Sequence, residues 1–213
     1  MSSQQESLQT IQDIKRIMER SSRFISLSGW SGIVAGICGL AGAAVAQQRI
    51  QQYYDTQYNA GNACSRCLER ELFLVAIVVF ISAFLLAFLF TWLRSRKEGI
   101  PVWGNSAKRL MWNTVLPLAA GGFMVLRMQQ LGNYQLIAPA CLIFYGLALI
   151  NGSKFTIGEV RWLGYSILVA GIINLWFTRY GLYFWALGFG VFHIFYGLLM
   201  WWKYERNPEK EGA

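Results

Sequence analysis

The stretch that decides the fold is Leu72–Leu93, LFLVAIVVFISAFLLAFLFTWL, which contains no charged residue. A helix needs about 20 apolar residues to cross a hydrocarbon core of about 30 Å, and this stretch has that length. Its apolar residues do not alternate with polar ones, as the strands of a membrane barrel require. Because backbone groups in lipid must bond within their own segment or within a closed barrel, the stretch predicts a transmembrane helix.

Five further stretches share this character. Of all residues 55% are hydrophobic and 14% are charged, whereas a soluble domain has about 25% charged residues. The predicted spans are Phe24–Ala46, Leu72–Leu93, Leu110–Leu126, Tyr134–Ile150, Val160–Phe177 and Leu182–Trp202. The sequence therefore predicts an all-α membrane bundle of six transmembrane helices over residues 24–204.

The distribution of Lys and Arg predicts the orientation, because these residues resist translocation and stay on the inner side of the membrane. With the N-terminus inside, the outer segments hold only Arg49, Arg66, Arg70, Arg127 and Arg179, and the other fourteen cations lie on inner segments. We therefore expect both termini, including a tail over residues 205–213, to be cytoplasmic. The same bias accounts for the net charge of +8 without a nucleic-acid partner.

Residues 1–23 precede the first span and have a different pattern. Leu8, Ile11, Ile14 and Met18 recur at helical spacing, with basic residues elsewhere on the helical wheel. This pattern predicts an amphipathic helix that lies on the inner leaflet, held by its apolar face and by anionic lipid. Docking of a cytoplasmic partner on the same helix is the alternative interpretation.

The spans resemble three tandem hairpins. Ile143-Phe-Tyr-Gly-Leu147 in the fourth span matches Ile194-Phe-Tyr-Gly-Leu198 in the sixth. Leu118-Ala-Ala-Gly121 in the third span matches Leu168-Val-Ala-Gly171 in the fifth, at nearly the same offset. Such self-similarity predicts a repeated two-helix unit, and all copies would keep one orientation in the membrane.

Small residues in the first span predict close helix packing. Gly29, Gly32, Gly36 and Gly39 recur every three or four residues and form one smooth face. Spans associate largely by close approach at such residues, because apolar side chains gain little by leaving lipid. The glycines therefore predict a neighbouring helix, and self-association of the chain into a homo-oligomer is a further expectation.

Cys64-Ser-Arg-Cys67 lies in the predicted outer loop, residues 47–70. Two cysteines at this spacing can close a disulfide, act as a redox dithiol or contribute to a metal site. A zinc site needs further ligands, and this loop contains no His and no third Cys. We therefore expect no metal and interpret the pair as a disulfide, with redox function as the alternative.

His193 is the only histidine, and it falls within the sixth span, where ionisable residues are rare and often functional. Tyr196 follows one turn later, Tyr145 is its counterpart in the repeat, and Asn174 lies near the outer end of the fifth span. These four residues are the candidates for a ligand-binding pathway. The alternative is a neutral His193 bonded to a tyrosine or a backbone oxygen. No cofactor is expected, because one His lacks partners for haem or metal.

Lys154, Glu159 and Arg161 lie close together in the sequence at the inner start of the fifth span. A carboxylate at a helix start interacts favourably with the helix dipole. We interpret these three residues as an inner-face polar cluster with a structural role.

Over nearly its whole length the chain resembles a group of uncharacterised bacterial six-span membrane proteins. The resemblance rests on Arg20–Gly29, Leu142–Leu149, Lys154, Glu159, Arg161, Phe184–His193, Tyr196-Gly197 and Lys203–Glu205. It implies a bacterial inner-membrane location. Some members are named carotenoid monooxygenases, a chemistry that needs several iron-binding histidines where this chain has one. A weaker, architectural similarity is to HdeD-type acid-resistance membrane proteins, which also have three hairpins.

The polar content of the spans is too low for most membrane chemistry, which favours a non-enzymatic protein of structural, sensing or stress-response type. The second hypothesis is binding or transport of a small molecule, lipid or ion near His193. The third is a membrane redox protein that uses Cys64 and Cys67.

Overall fold

The computed structural model describes residues 28–61, 64–98 and 104–206, and every regular element within these ranges is helical. The helices are α1 (Gly29–Ala60), α2 (Ser65–Glu98), α3 (Asn105–Gln130), α4 (Ile137–Gly152), α5 (Glu159–Trp176) and α6, which joins α-helical Gly181–Trp185, π-helical Ala186–Phe192 and α-helical His193–Tyr204. The amphipathic helix predicted for residues 1–23, the start of the first span at Phe24 and most of the predicted tail lie outside the described residues.

Five helical stretches are long and apolar enough to cross a membrane. They are Gly29–Ala60, Ser65–Lys97, Asn105–Gln130, Tyr134–Phe155 and Thr178–Tyr204. In the most apolar 18-residue stretch of α2 no residue is buried within the bundle, which suits side chains that face lipid. Helix α5 is shorter, at 18 residues, and carries Glu159 and Arg161 in its first turn. The chain is therefore an α-helical membrane protein.

The first two helices extend well beyond the predicted spans. Helix α1 continues past Ala46 to Ala60, and α2 begins at Ser65, so the predicted loop over residues 47–70 is wrong. Neither Pro nor Gly interrupts this segment before Gly61, which ends α1 with φ at 67°. Hydropathy marks where apolar residues end, which need not be where the helix ends. At 1.5 Å per residue, α1 is about 48 Å long, about 18 Å more than a hydrocarbon core.

Helices α1 and α6 pack backbone against backbone, as the glycine face of the first span predicted. A Cβ atom at Gly29 would lie 2.6 Å from the carbonyl oxygen of Gly197, and one at Gly36 would lie 2.7 Å from that of Gly190. On the other helix, a Cβ at Gly197 would lie 2.6 Å from the amide nitrogen of Ile33. The first and last helices are therefore neighbours within one chain, and this face of α1 is not available to a second copy.

Helices α4 and α5 form a second close pair. A Cβ at Gly146 would lie 2.9 Å from the carbonyl oxygen of Gly164. Next to this contact, Leu142, Leu163 and Ile167 form the buried core. Half-buried aromatic side chains of α4 and α6 pack on these three residues: Tyr145, Phe184, Phe189, Phe192 and Tyr196. Helix α6 thus has α1 on one side and the α4–α5 pair on the other.

Helix α3 contains Pro117 in its interior. Proline has no N–H, so the carbonyl four residues earlier, that of Asn113, loses its usual helical donor. Asn151 of α4 donates its side-chain Nδ2 to this carbonyl oxygen at 2.8 Å. A polar side chain from the neighbouring helix therefore satisfies the group that proline leaves open, as lipid-embedded backbone requires.

Candidate functional site

The polar centre of the bundle is a pair of side chains on α4 and α6. The hydroxyl of Tyr145 lies 2.8 Å from Nε2 of His193, and Nδ1 of His193 lies 2.9 Å from the carbonyl oxygen of Gly188. A carbonyl oxygen only accepts, so Nδ1 carries the proton and donates to Gly188. The other nitrogen, Nε2, then accepts from the Tyr145 hydroxyl. A neutral His193 satisfies both contacts.

The backbone around this pair is unusual, because the carbonyl that His193 contacts belongs to the π-helical segment Ala186–Phe192. Single π-helical turns within α-helices are frequent at functional positions. Gly188 is buried, and a Cβ there would clash with a methyl carbon of Leu142. The lack of a side chain at Gly188 therefore lets α6 come close to α4 and places His193 against Tyr145.

Aromatic rings enclose the same pair. The ring of Phe189 stacks on the His193 ring, with 6.2 Å between centroids and 17° between planes. Phe189 also contacts Tyr145 at 5.1 Å and Trp185 at 4.6 Å. We call Tyr145, Trp185, Phe189 and His193 the aromatic centre. His193 itself is buried, with 5% of its surface exposed, whereas the other three side chains are half-buried.

The other two predicted ligand-binding residues lie apart from this contact. The Tyr196 hydroxyl is 3.3 Å from the hydroxyl of Ser166 on α5, in the next layer of α6. Asn174 is fully buried at the opposite end of α5 and donates Nδ2 to the carbonyl of Phe177 at 3.0 Å. It lies beside Gly181, which is about 18 Å along α6 from His193 at 1.5 Å per residue. Tyr145 and His193 are thus in contact, and Asn174 is distant from both.

Asn174 also has an unpaired hydrogen-bond acceptor among the described residues. Its side-chain oxygen Oδ1 is buried and has no hydrogen-bond partner within the described part of the chain. An unpaired buried acceptor costs free energy, so a donor such as water or a ligand hydroxyl would stabilise it. Asn174 is the one candidate among the four with a buried polar atom that has no hydrogen-bond partner in the described part of the chain.

A second polar site joins three helix ends. Oε1 of Glu205, just after α6, accepts from the amide of Gly29 at 2.6 Å and from the hydroxyl of Ser28 at 3.1 Å. The guanidinium of Arg94, near the end of α2, donates to the same oxygen at 3.0 Å. Both charged side chains are largely buried, at 11% exposed for Arg94 and 17% for Glu205. We call Ser28, Gly29, Arg94 and Glu205 the terminal clamp.

Beside the terminal clamp, Glu159 in the first turn of α5 pairs with Lys203 of α6 and accepts from the hydroxyl of Tyr204 at 2.9 Å. Partial burial acts to raise the pKa of Glu159. The hydrogen bonds from Lys203, from its own backbone amide and from Tyr204, together with the charge of Lys203, outweigh that effect and leave its pKa below the ordinary value. The carboxylate is therefore the stable form of Glu159.

The predicted inner-face cluster of Lys154, Glu159 and Arg161 divides among different partners. Lys154 donates to the side chain of Asn151 at 3.4 Å, and Arg161 donates to the hydroxyl of Ser153 at 3.4 Å. Glu159 pairs with α6 instead. The three residues therefore form no common cluster: Lys154 and Arg161 make local contacts, whereas Glu159 connects α5 to α6.

Cys64 and Cys67 form a disulfide at the tip of the α1–α2 hairpin. Both residues are exposed, and Sγ of Cys64 accepts the backbone N–H of Cys67 at 3.2 Å. The other two cysteines, Cys38 and Cys141, are free thiols within α1 and α4. Among the described residues no group of three His, Cys, Asp or Glu side chains is placed to hold a metal ion.

Several of these contacts have no counterpart among the predicted site residues. Glu205 falls in the predicted cytoplasmic tail, Arg94 is one of the inner cations, and Asn151 has no predicted role. Two signals were present: Ser28 is a typical N-cap residue, and Lys203–Glu205 belongs to the resemblance described above. Neither signal identifies a partner, because the contacts of Glu205 with Ser28, Gly29 and Arg94 join residues more than 100 positions apart.

The fold and its polar contacts define an α-helical integral membrane protein with a buried His–Tyr pair. Comparison with models of protein families, with curated proteins and with solved structures finds no match to this chain.

Proposed function

We propose that the chain is a six-span protein of the bacterial inner membrane with a structural or sensing role and no chemistry within the membrane. Helix α5 would be the sixth span, because its 18 residues measure about 27 Å, close to the thickness of a hydrocarbon core. Its packing between α4 and α6 supports this, since both neighbours are themselves long enough to span.

The terminal clamp supports the proposed topology. Its contacts bring together the start of α1, the end of α2 and the end of α6, and the pair of Glu159 with Lys203 adds the start of α5. In an up-and-down bundle of six spans these four ends lie on one side. They carry most of the basic residues, so we place this side and both termini in the cytoplasm.

Two equivalent contacts support the hairpin repeat. Gly146 and Gly197 occupy the same place in the matching Phe-Tyr-Gly-Leu sequences of α4 and α6. Each packs against the first helix of another hairpin: Gly146 on Gly164 of α5, and Gly197 on Gly29 of α1. Related positions making related contacts are what duplication of a two-helix unit would produce.

The observation that carries the proposed role is the bonding of His193. Both of its ring nitrogens are engaged by groups of the same chain, Tyr145 and Gly188. An imidazole held in this way has no nitrogen free to bind a metal or a further ligand unless a contact first breaks. The pair therefore holds α4 and α6 together by a hydrogen bond within the bundle, a role that suits a scaffold or sensor.

Native mass spectrometry of the protein in native-lipid nanodiscs tests the role. We expect a species of defined stoichiometry without a retained small molecule, and the same bare species for His193→Ala, with lower thermal stability. A homo-oligomer would show directly as a multiple of the chain mass. Turnover or a bound molecule that depends on His193 would contradict the proposal.

A ligand site is the second candidate, and the unpaired Oδ1 of Asn174 favours it. The ligand would supply a hydroxyl or amine donor, as a small molecule or a lipid headgroup can. The nanodisc experiment separates the two hypotheses. A molecule that wild-type protein and the Tyr145→Phe variant retain, and that Asn174→Leu loses, would establish this second site.

A further inference from the structure

The disulfide at the hairpin tip does not connect the two helices of the hairpin. Cys64 immediately precedes Ser65, the first residue of α2, and Cys67 lies in the first turn of α2. Both sulfurs therefore belong to the same end of one helix, and α1 ends at Ala60 without taking part. A bridge that stapled the hairpin would need one cysteine on each helix.

The bridge also restrains little of the unfolded chain. It joins residues with a sequence separation of three, and the entropy that a crosslink removes grows with the length of the loop it closes. A short loop therefore contributes less stability than the long loops closed by structural disulfides. Stabilisation of the hairpin therefore explains the two cysteines poorly. Thiol–disulfide chemistry explains them better.

The position of the bridge makes it accessible to other molecules. Cys64, Ser65, Arg66 and Cys67 are all exposed. The last part of α1 is equally exposed, because the hairpin reaches beyond the length that a hydrocarbon core covers. A thiol of another molecule can therefore approach the sulfurs without opening the bundle.

The electrostatics distinguish the two sulfurs. Sγ of Cys64 accepts the N–H of Cys67, one of the free amides at the N-terminus of α2. The helix dipole favours negative charge there, and the first turn of α2 contains no acidic residue to oppose it. After reduction, Cys64 is thus the sulfur better placed to exist as a thiolate, which is the form that attacks disulfides.

We propose that Cys64 and Cys67 form a thiol–disulfide exchange site on the outer side of the membrane, which takes electrons from dithiols in that compartment. A partner thiolate attacks Sγ of Cys64, the Cys64–Cys67 bond breaks, and Cys67 leaves as a thiolate that takes up a proton. The second partner thiolate then attacks the partner sulfur of the mixed disulfide and releases Cys64 as a thiolate. The partner dithiol loses two electrons and becomes a disulfide, the pair gains them, and one of the two thiol protons goes to solvent.

The exchange is tested on full-length protein in nanodiscs, in a Cys38→Ala, Cys141→Ala background so that only the pair is counted. The protein is equilibrated with dithiothreitol or with glutathione buffers of varied ratio, trapped with N-ethylmaleimide and analysed by mass. We expect the bridge to open and reclose reversibly while helical circular dichroism stays unchanged. A bridge that stays closed in excess dithiothreitol until the helices melt would overturn the proposal.

The single variants test the asymmetry. With Cys67→Ser, the remaining Cys64 should react with 5,5′-dithiobis(2-nitrobenzoate) at neutral pH about fivefold faster than Cys67 does in the Cys64→Ser variant, the size expected from one helix terminus. This difference should vanish at high pH, where both thiols ionise. Equal rates at neutral pH would overturn the role given to Cys64.

The outer location rests on the proposed topology and has its own readout. After reduction of whole cells, a membrane-impermeant maleimide should label the pair as completely as a permeant one. Labelling only by the permeant reagent would overturn the outer location and the topology together. The reduction and rate measurements on purified protein would be unaffected, so failure of the topology and failure of the exchange chemistry are distinguishable.

Discussion

Oε1 of Glu205 lies 2.6 Å from the amide nitrogen of Gly29, so the residue after the last helix caps the start of the first one. The first amides of a helix have no partner within it, and a carboxylate there is favoured by the helix dipole. Arg94 donates to the same oxygen, which ties α2 into the contact. The terminal clamp therefore joins the beginning and the end of the described bundle.

The clamp predicts a large cost for Glu205→Gln. Loss of the charge weakens the contacts to Gly29 and Arg94 together, so the free energy of unfolding should fall by about 2 kcal/mol, the range of charged hydrogen bonds. The matched control is Glu71→Gln, because Glu71 pairs with Arg49 at 3.8 Å and both side chains are half exposed. That change should cost less than about 0.5 kcal/mol. Reversible unfolding in mixed micelles measures both, and equal losses would contradict the clamp.

The backbone contact of α1 with α6 predicts that Gly197→Ala is destabilising. The new methyl group would lie 2.6 Å from the amide of Ile33, so the helices must separate, at about 1 to 3 kcal/mol for overpacking. Gly122→Ala is the control, since a Cβ there meets nothing within 4 Å. It should stabilise α3 by about 0.5 to 1 kcal/mol through helix propensity. In the same unfolding assay, the free energy of unfolding should fall for Gly197→Ala and rise for Gly122→Ala. A rise for Gly197→Ala would contradict the close packing of α1 on α6.

Pro117 and Asn151 should be energetically coupled. Asn151→Ala leaves the Asn113 carbonyl without its donor and should cost about 1 to 2 kcal/mol. In a Pro117→Ala background the new backbone N–H can supply that donor, so Asn151→Ala should cost clearly less. A double-mutant cycle on unfolding free energies measures the coupling. Additive effects would show that Asn151 does not serve the carbonyl that proline leaves open.

The buried pair predicts that Tyr145→Phe destabilises the protein. Removing the hydroxyl leaves Nε2 of His193 buried without a donor, at a cost of about 1 to 3 kcal/mol. Tyr196→Phe is the control, because its contact to the half-buried Ser166 is longer, at 3.3 Å. We expect a smaller loss there, because the Ser166 hydroxyl keeps its hydrogen bond to the carbonyl oxygen of Trp162 at 3.0 Å. If Tyr145→Phe leaves the free energy of unfolding unchanged, the pair contributes nothing to the stability of the bundle.

The pair of Glu159 with Lys203 predicts loss of stability in acid. The pKa of Glu159 is lowered in the folded protein, from the ordinary value of 4.5. The folded state therefore binds a proton at this site less readily than the unfolded one, and the pair contributes fully above about pH 4.5. As pH falls below that value the contribution disappears.

Comparison with Glu159→Gln isolates this effect. Melting temperatures of wild type and variant, measured from pH 7 to pH 3, should differ most at neutral pH and converge in acid. A difference that stays constant across this range would mean that Glu159 does not titrate with a lowered pKa.

The sequence by itself determined that the chain is helical and enters the membrane. A run such as Leu72–Leu93 leaves no other way to satisfy its backbone in lipid, and that constraint acts within each segment. The glycine face of α1 also indicated close packing, because the spacing of Gly29, Gly32 and Gly36 depends only on helical geometry. These features are local, so they could be predicted without partners.

Only the tertiary structure decided which segments meet. The sequence could not show that the glycine face of α1 is covered by α6, that Tyr145 rather than Tyr196 bonds His193, or that Glu205 reaches Gly29. The end of α1 could not be predicted either, because the helix continues as mostly polar residues from Ala46 to Ala60, where hydropathy gives no signal. The physical reason is that hydrogen bonds and close packing depend on distances between remote segments, whereas hydropathy and periodicity describe one segment at a time.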